Sequence, residues 1–472
     1  MSTTVLKQVA RFTGPAMLGM ALLVIAGLAL LIVPPADTFA QEPGPISTQA
    51  VTQTAYVVVR YGDNDNIVRR INFTGAISEQ GALELAGLNP TVDGGFLTHI
   101  NGYEAKAAET RFWGTSHISG TGWTFNRYGV TELEIRDNFH VEGFSVSDPG
   151  WSGVDPPAPQ RMAAAADGLQ WLSGQQSTTD GGYGNTSKSI EALMAVGANG
   201  CDPAEWRNGA GNPALLTYLS ADRVATFAAD ASGAGKAAVA LAAAQQVITD
   251  YKGLNLVISI TTHYSDTTGA YHPDPGGQAW AMMGLRAASQ TVPLTASNYL
   301  TGLTKTGGCW AWGSNETWFP RCDTNGTALA VQALVAAGIP TDSAAVISGI
   351  TWLKSAQNSD GGFPYDPQSP WGTDSDTNST SYAVQALLAA GEDISSLANG
   401  SPIDYLQGMQ QSTGQFYWQG DSPGADATSP TRQAVLALLD RPLPTASVAG
   451  LTSFVLSEKS YISYFPLIIK DS

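Results

Sequence analysis

Acidic side chains recur at one position of a repeated pattern in the C-terminal part of this chain. Counting back eleven residues from four similar leucines gives Asp230, Asp274, Asp323 and Asp376. A carboxylate directly before a helix caps its free N–H groups, and several such helices opening on one mouth also bring their carboxylates to a shared ligand. Two interpretations therefore stay open, capping alone and capping combined with ligand contact.

Paired carboxylates at the last of these positions raise the question of acid catalysis. Asp374 and Asp376 stand two residues apart before a predicted helix, and Asn378 follows them. A protonated carboxyl group acts as a general acid, whereas an amide cannot. An acid catalyst at this helix start would therefore rest on the two aspartates and not on Asn378.

Further polar and aromatic residues near the helix starts are candidate ligand contacts. His272 lies on a loop before Asp274. A neutral imidazole is a competent transition-metal ligand, although a lone loop histidine is more commonly a solvated turn residue. The remaining candidates are Gln278, Asn325, Asn378, Gln332, Gln385, Tyr183, Phe363, Trp418 and Trp113. For these residues the structural alternatives are mutually bonded amides and rings packed between helices.

A helix-pair repeat must position these residues. Six Ala-rich segments end on leucines that are 44 to 53 residues apart, at positions 193, 241, 285, 334, 387 and 438. Spacings of about fifty residues accommodate two helices and two loops. A second helix is indicated around Trp171 and Trp352, each followed by an Asp-Gly-Gly-aromatic turn. Because six pairs can close into a ring without exposed ends, we predict a mainly α protein with an (α/α)6 toroid over residues 160–444.

A small α+β domain of β-grasp type is predicted ahead of the toroid, over residues 54–147. Residues 56–61 and 67–73 have the composition of a strand hairpin, and residues 79–88 have helical spacing that stops before Pro90. A Pro-rich linker over residues 148–159 follows this domain. Residues 445–472 form a tail whose apolar end is about half the length of a membrane span. We expect this tail to dock as a strand or to meet a cell-surface partner.

The N-terminus predicts export. Lys7 and Arg11 precede an apolar run over residues 16–33, and Ala40 offers a cleavage position before a linker over residues 41–53. The run is also about long enough to span a bilayer, so a cleaved signal peptide over residues 1–40 and an uncleaved anchor both stay open. We expect the body of the protein to be secreted or tethered to the outside of the membrane.

Charge and cysteine content narrow the partners. The chain has 23 basic and 40 acidic residues, a net charge of -17, which argues against nucleic acid as a partner because it cannot form a basic face. In an oxidising compartment we expect Cys309 and Cys322 to pair, which leaves Cys201 odd. The five histidines are scattered, so no structural metal is expected, and we expect a monomer that binds a small or polycyclic molecule.

The helix pairs with their Gln-x-x-Asp-Gly-Gly-aromatic turns resemble the squalene cyclase and protein prenyltransferase superfamily of α/α toroids over about 285 residues. In class II terpene cyclases the resemblance implies a general acid where this chain has Asn378. The segments 100–102, 112–113 and 132–144 resemble the small domain of the transcobalamin and intrinsic factor family. In that family a toroid and a small domain clamp cobalamin, although there the small domain follows the toroid.

The two resemblances together imply an exported binding protein, a carrier rather than an enzyme. It would hold a corrinoid such as cobalamin, or another large amphipathic ligand, between the small domain and the toroid mouth. His272 is then the candidate cobalt ligand, because residues 272–285 resemble the histidine loop of the carriers. The alternatives are a secreted toroid enzyme, either a degenerate class II terpene cyclase or a carbohydrate-active α/α barrel, and a cell-surface interaction module.

Overall fold

The computed structural model describes residues 51–61, 66–104, 112–119, 122–126, 128–147 and 158–445. The predicted export segment, nearly all of the linker after it, most of the Pro-rich linker and the tail after residue 445 lie outside the described residues. Within those ranges, no helix has both the length and the hydropathy needed to cross a bilayer.

The small domain is built on a mixed sheet. Its elements in chain order are β1 (Thr52–Arg60), β2 (Asn66–Thr74), β3 (Ile77–Ser78), α1 (Glu79–Leu85), β4 (Pro90–Asp93), β5 (Phe96–Ile100), β6 (Tyr103–Glu104), β7 (Phe112–Ser119), β8 (Gly122–Phe125), β9 (Glu134–Ile135) and β10 (His140–Ser147). The main sheet has the order β2-β1-β10-β7-β8, in which β1 and β10 run parallel and the other pairs antiparallel. The predicted β1–β2 hairpin is confirmed.

Both faces of β1 are buried, which explains its unbroken apolar run. Ala55, Val57 and Val59 face the core of the small domain, together with α1. Tyr56 and Val58 belong to the apolar core of the toroid instead. A strand covered on both faces reads as a continuous hydrophobic segment, as buried parallel strands do. The sheet is therefore a shared layer between the small domain and the helices.

The helices that follow alternate between two layers. In chain order they are α2 (Pro159–Gly174), α3 (Thr186–Ala198), α4 (Leu215–Tyr218), α5 (Ala221–Phe227), α6 (Ala231–Ala243), α7 (Leu256–Thr261), α8 (Pro275–Ala287), α9 (Leu294–Gly302), α10 (Thr324–Ala336), α11 (Ala344–Ala356), α12 (Thr377–Ala389), α13 (Pro402–Gly408) and α14 (Ser429–Leu438). Short 3-10 turns lie at Ile248–Asp250 and Ile394–Ser396.

The predicted (α/α)6 toroid is confirmed over residues 158–445. The Ala-rich helices α3, α6, α8, α10, α12 and α14 contact one another in that order, and α14 returns to contact α3. The outer helices pack against this inner ring, and α13 contacts α2. Two element starts differ from the predicted boundaries. Helix α2 begins at Pro159, inside the predicted linker, because proline suits a first helical turn, and β1 begins at Thr52.

Glutamine amides tie neighbouring repeats together. The Nε2 atom of Gln410 donates to the carbonyl of Gly414 in its own turn at 3.2 Å and to Ala164 of α2 at 2.8 Å, which joins the last repeat to the first. Three other glutamines make a similar pair of bonds, one to the carbonyl of a turn glycine and one to a carbonyl of the next repeat. They are Gln176, Gln278 and Gln357. Such bonds use buried backbone carbonyls that would otherwise stay unpaired.

The small domain is fixed to the toroid at the C-terminal end of α3. The side chain of Asn199 accepts from Val68 N at 2.8 Å and donates to Val68 O at 2.8 Å, so it pairs with β2 as a backbone group would. The guanidinium of Arg69 donates to the carbonyls of Asn199 at 2.7 Å and Gly200 at 3.0 Å. The small domain thus covers the end of the ring at which the inner helices finish.

Close approach of α6 and α8 requires glycine. A Cβ atom on Gly235 would lie 2.2 Å from Trp280 O, and a Cβ on Gly284 would lie 2.5 Å from the Cα of Gly235. We predict that Gly235→Ala lowers the free energy of unfolding by about 1–3 kcal/mol, because the added methyl group forces two packed helices apart. Urea unfolding followed by Trp fluorescence measures this change.

The control is Gly174→Ala at the end of α2, where a Cβ atom meets nothing within 4 Å. This variant should be as stable as the wild type or more stable by about 0.5–1 kcal/mol, because alanine loses less backbone entropy than glycine in a helix. Equal losses in the two variants would contradict close packing of α6 on α8.

Candidate functional site

The aspartates that recur along the sequence begin the inner helices. Asp230, Asp323 and Asp376 are N-cap residues whose side chains accept from a backbone N–H three residues on, at 2.7, 2.6 and 2.8 Å. Asp274 precedes α8 but makes no capping bond, and its Oδ1 atom accepts from the N and Oγ atoms of Ser314. The capping interpretation therefore accounts for three of these four residues.

Asp323 and Asp376 are buried, and their second oxygens also have partners. Oδ2 of Asp323 accepts from Trp312 N at 2.5 Å, and Oδ2 of Asp376 accepts from Ser379 Oγ at 2.8 Å. Burial raises the pKa of Asp323 to about 7 and that of Asp376 to about 6, against the opposing effect of these bonds. Both carboxyl groups thus order the helix starts, with all of their oxygens engaged.

Asn325 and Asn378 stand at equivalent positions, two residues after the capping aspartates of α10 and α12. Asn378 donates from Nδ2 to Ser429 Oγ on α14 at 2.9 Å. The Oδ1 atoms of Asn325 and Asn378 are buried and have no hydrogen-bond partner in the described part of the chain. Asp374, the second carboxylate near this helix start, is exposed. The two aspartates therefore do not form a buried acid pair.

Two predicted ligand contacts bind the chain itself. Oε1 of Gln332 accepts from Leu443 N at 2.7 Å, and Nε2 of Gln385 donates to Arg441 O at 2.7 Å. Arg441 and Leu443 follow α14 and are buried. The structure therefore corrects the expectation for both glutamines: they hold the segment after α14 inside the far end of the ring. Gln278 is also buried, and its side-chain amide donates to the carbonyls of Gly269 and Ala296 in the bonds between repeats described above.

The predicted aromatic contacts fall into different environments. Tyr183 is buried, donates to Leu172 O at 3.1 Å and accepts from the indole of Trp206, so it is a core residue. Phe363 is fully buried as well. Trp418 is 38% exposed and its side chain bonds Asp376 at the mouth. Trp113 belongs to the sheet of the small domain and lies in a separate cavity described below.

His272 packs on the first turn of α8. Its Nδ1 atom accepts from Asp274 N at 3.1 Å, and a Cβ atom on Gly277 would lie 2.2 Å from that nitrogen. Gly277 thus provides the space that the imidazole fills. In the described ranges no three His, Cys, Asp or Glu side chains cluster as metal ligands would. Cobalt ligation by His272 stays a prediction.

The bore of the ring contains an ionic network that the sequence analysis missed. Glu191 on α3 bonds Lys236 on α6 at 2.5 Å and Arg432 on α14 at 2.9 Å. Arg432 is 2% exposed and also bonds Asp426 at 2.7 Å, which lies 3.4 Å from Lys188. The sequence did contain a signal for this network, because isolated charged residues occur on inner helices that are otherwise apolar and Ala-rich. In such helices an ionic side chain needs a partner across the ring.

The network leaves little space inside the ring. A cavity of about 20 Å³ is bounded by Glu191, Lys236, Trp280, Tyr382, Arg432 and Leu443. This volume is close to that of one water molecule. Burial raises the pKa of Glu191, but Lys236 and Arg432 outweigh it, so the pKa lies below its ordinary value. The bore is therefore a packed, ionised core.

A much larger cleft opens on the loops at the edge of the toroid. This rim cleft has a volume of about 640 Å³ and lies between the α9–α10 loop and the α11–α12 loop, with Trp352 of α11 in its wall. Its charged residues are paired: Lys305 with Glu316 at 2.8 Å, and Arg321 with Asp366 at 2.7 and 2.9 Å.

The rim cleft is braced by a disulfide. The predicted bridge between Cys309 and Cys322 is present, and Cys322 lines the cleft. Cys201 is free and buried. The same two loops carry Trp318 and Trp371, which are 77% and 94% exposed.

One comparison with known protein families matches part of the toroid. A family model described as the squalene-hopene cyclase C-terminal domain matches residues 274–424. These residues contain α8 to α13, so this part of the toroid is similar to that domain. No curated protein matches the sequence.

Solved structures similar to this chain come from several organisms. The type II terpene cyclase MstE from Scytonema is 14% identical, with 60% of this chain and 98% of that chain covered and a TM-score of 0.41. The ent-copalyl diphosphate synthase from Streptomyces platensis is 17% identical, with 61% and 52% covered and a TM-score of 0.31. A glycosyl hydrolase of family 88 from Bacteroides vulgatus is 12% identical, with 60% and 97% covered and a TM-score of 0.36.

The predicted transcobalamin-like carrier is wrong. The cyclase-domain match includes residues 274–285, most of the segment on which the resemblance to a carrier histidine loop rested. The finding favours the alternative that was kept beside it, a toroid of the cyclase kind. The physical reason for the error is that inner helix starts share their caps and turns across toroids, whatever those toroids bind.

Breaking the buried network should destabilise the toroid. We predict that Glu191→Gln lowers the free energy of unfolding by about 3 kcal/mol, because Lys236 loses its carboxylate partner inside the ring. The control is Glu392→Gln, whose pair with Lys354 has side chains that are 33% and 42% exposed. It should cost less than about 1 kcal/mol in urea unfolding. Similar costs for the two variants would contradict a tightly packed bore.

The network also predicts acid sensitivity. Burial alone would raise the pKa of Asp426, but Arg432 outweighs burial and lowers the pKa from 3.8 to about 2. Because the folded pKa is depressed, the stability that Asp426 contributes is present above about pH 4 and is lost as the pH falls toward about 2. Urea unfolding should show the wild type more stable than Asp426→Asn at pH 6, with the difference shrinking toward pH 2. A difference independent of pH would contradict this ionisation.

Proposed function

We propose that this chain is a toroid of the terpene-cyclase type that does not cyclise polyprenes and instead binds a neutral oligosaccharide in its rim cleft, outside the cell. The observation that carries the proposal is the combination of an indole wall and two ion pairs around one open cleft of about 640 Å³. Ligand sites of this size usually combine aromatic walls with a few placed polar groups.

The chemistry of the cleft suits a polyol. The flat face of Trp352 offers an apolar surface to the C–H groups of a sugar ring, as amphipathic aromatic side chains do in binding sites. Arg321 and Asp366 supply fixed donors and acceptors for hydroxyl groups. Since the two cations and the two carboxylates balance, the cleft favours a ligand without net charge.

The surroundings also support an extended ligand. Trp318 and Trp371 stand exposed on the two loops that form the cleft. A chain of sugars that continued beyond the cleft would have further rings to stack on. The disulfide that braces one loop is stable in the oxidising exterior, and an exterior location is what the N-terminal sequence predicts.

Polyprene cyclisation has weaker support. A polyprenyl substrate needs a cavity inside the ring, whereas the cavity between the ionised side chains of the bore has a volume of about 20 Å³. The position expected for the general acid carries Asn378, and an amide cannot donate the initiating proton.

The binding test uses the full chain and a panel of neutral oligosaccharides with β-gluco, α-gluco, xylo, manno and N-acetylglucosamine repeats. Isothermal titration should give saturable binding to at least one of them. Trp352→Ala should weaken that binding by at least about tenfold, a loss of about 1.4 kcal/mol, because the stacking surface is removed. Arg321→Gln should weaken it as well, since the cleft loses its fixed donors.

Trp171→Ala is the matched control. Trp171 is the equivalent residue of the first helix pair, is also partly buried on an outer helix, and does not line the rim cleft. Its loss should leave sugar binding unchanged. Saturation with none of the sugars, or equal effects of the two tryptophan variants, would refute the proposal.

A second assay addresses cyclisation. The full chain and the Asn378→Asp variant are incubated with squalene and with geranylgeranyl diphosphate, and the products are analysed by gas chromatography with mass detection. We expect no cyclic product from the wild-type chain. Cyclic product from the wild type would overturn the proposal that this toroid does not cyclise polyprenes.

A further inference from the structure

The small domain has a cavity of its own, apart from the toroid. Its volume is about 570 Å³, and its lining includes Phe96, Trp113, Thr115, Phe125, Asn126 and Tyr128. Phe96 and Tyr128 are 71% and 67% exposed, whereas Trp113 is 7% exposed. The cavity thus has aromatic groups both at its open edge and at its inner wall. Val68 and Arg69, which bond the end of α3, do not line this cavity.

Two carboxyl groups lie directly behind this lining. Glu79 Oε1 accepts from Asn126 Nδ2 at 2.6 Å and from Thr115 Oγ1 at 3.3 Å. The same Nδ2 atom donates to Glu142 Oε1 at 2.7 Å. Glu79 is 0% exposed and Glu142 is 2% exposed. One amide that lines the cavity therefore holds both buried acids.

Burial favours the protonated forms of both acids. Burial raises the pKa of Glu79 to about 8, with a further contribution from the charge of Glu142, whose own pKa burial raises well above its ordinary value. His140 contacts Glu142 Oε2 at 2.8 Å, and burial lowers its pKa although Asp137 and Glu79 favour its charged form. His117 on β7 contacts Asn126 Oδ1 at 2.5 Å.

One buried polar atom in the wall of this cavity lacks a partner. The carboxyl groups of Glu79 and Glu142 bond each other, whereas the indole nitrogen of Trp113 makes no hydrogen bond to any described residue. An unpaired buried polar group costs free energy, and such groups are commonly explained by a bound molecule or ion. Trp113 lines the cavity, so a ligand there can supply the missing acceptor.

We propose that this cavity binds a small organic ammonium ion, held by its aromatic walls and attracted by the charge of the carboxyl pair that lies behind Asn126. Aromatic faces attract a cation by about 0.5–2 kcal/mol each, and alkylated ammonium groups combine charge with an apolar surface. A neutral ligand would gain only from contact with the aromatic rings. A cation gains from the rings and from the charge of the carboxyl pair, whose proton is released to solvent when the cation binds.

The test compares charged and neutral molecules of the same shape. Isothermal titration of the full chain uses choline and its uncharged isostere 3,3-dimethylbutan-1-ol, at pH 6, 7.5 and 9. We expect saturable binding of choline at least tenfold tighter than binding of the alcohol. Choline affinity should also rise at least tenfold from pH 6 to pH 9, because protons compete with the cation for the carboxyl pair at low pH. Equal affinity for the two molecules, or no binding of choline, would overturn the proposal.

Substitutions test the contributions of the carboxyl groups and of the aromatic rings separately. Glu79→Gln should weaken choline binding at least tenfold and flatten its dependence on pH. Glu84→Gln is the matched control, because Glu84 lies exposed on the same helix α1 and should leave binding unchanged. Tyr128→Ala, at an exposed position, should weaken choline binding without affecting the thermal melting of the chain.

Each variant has an outcome that contradicts the proposal. Unchanged affinity and unchanged pH dependence in Glu79→Gln would remove the acids from the site. If Glu79→Gln fails to fold, Tyr128→Ala decides, since wild-type choline binding in that variant would remove the aromatic cage. Both results are independent of the sugar assay, which concerns the toroid.

Discussion

Closure of the inner helix ring is the constraint on which the structure depends. Each inner helix is short and Ala-rich, and it buries most of its surface only when both neighbours are present. Closure places α14 against α3, and Gln410 bonds Ala164 across the same seam. Because a helix pair cannot bury its own apolar faces, the ring is stable as a whole rather than pair by pair.

Ionised side chains and a chain segment fill the interior of the ring. Glu191, Lys236 and Arg432 come from three different inner helices and form ion pairs in the bore. Gln332 and Gln385 hold the segment after α14, and Leu443 of that segment borders the same small cavity as the ionic network. The ligand sites proposed above therefore lie on the loops at the rim and on the small domain.

The small domain and the toroid share a layer, so neither is a simple appendage of the other. Tyr56 and Val58 of β1 enter the core of the helical part, while Val57 and Val59 enter the core of the small domain. Asn199 completes the backbone bonds of β2. This common sheet therefore joins the two parts, whatever their order along the chain. The cavity beside Trp113 and the rim cleft have separate linings.

The sequence alone determined the repeat, the number of helix pairs, the hairpin at residues 56–73 and the Cys309–Cys322 bridge. These features follow from local periodicity, capping and cysteine chemistry. The same local signals misassigned Gln332 and Gln385, because an amide on an inner helix looks identical whether it meets a ligand or the chain's own backbone. Only the tertiary structure decided what fills the bore, since Glu191 and Arg432 are 241 residues apart and meet only because the ring closes.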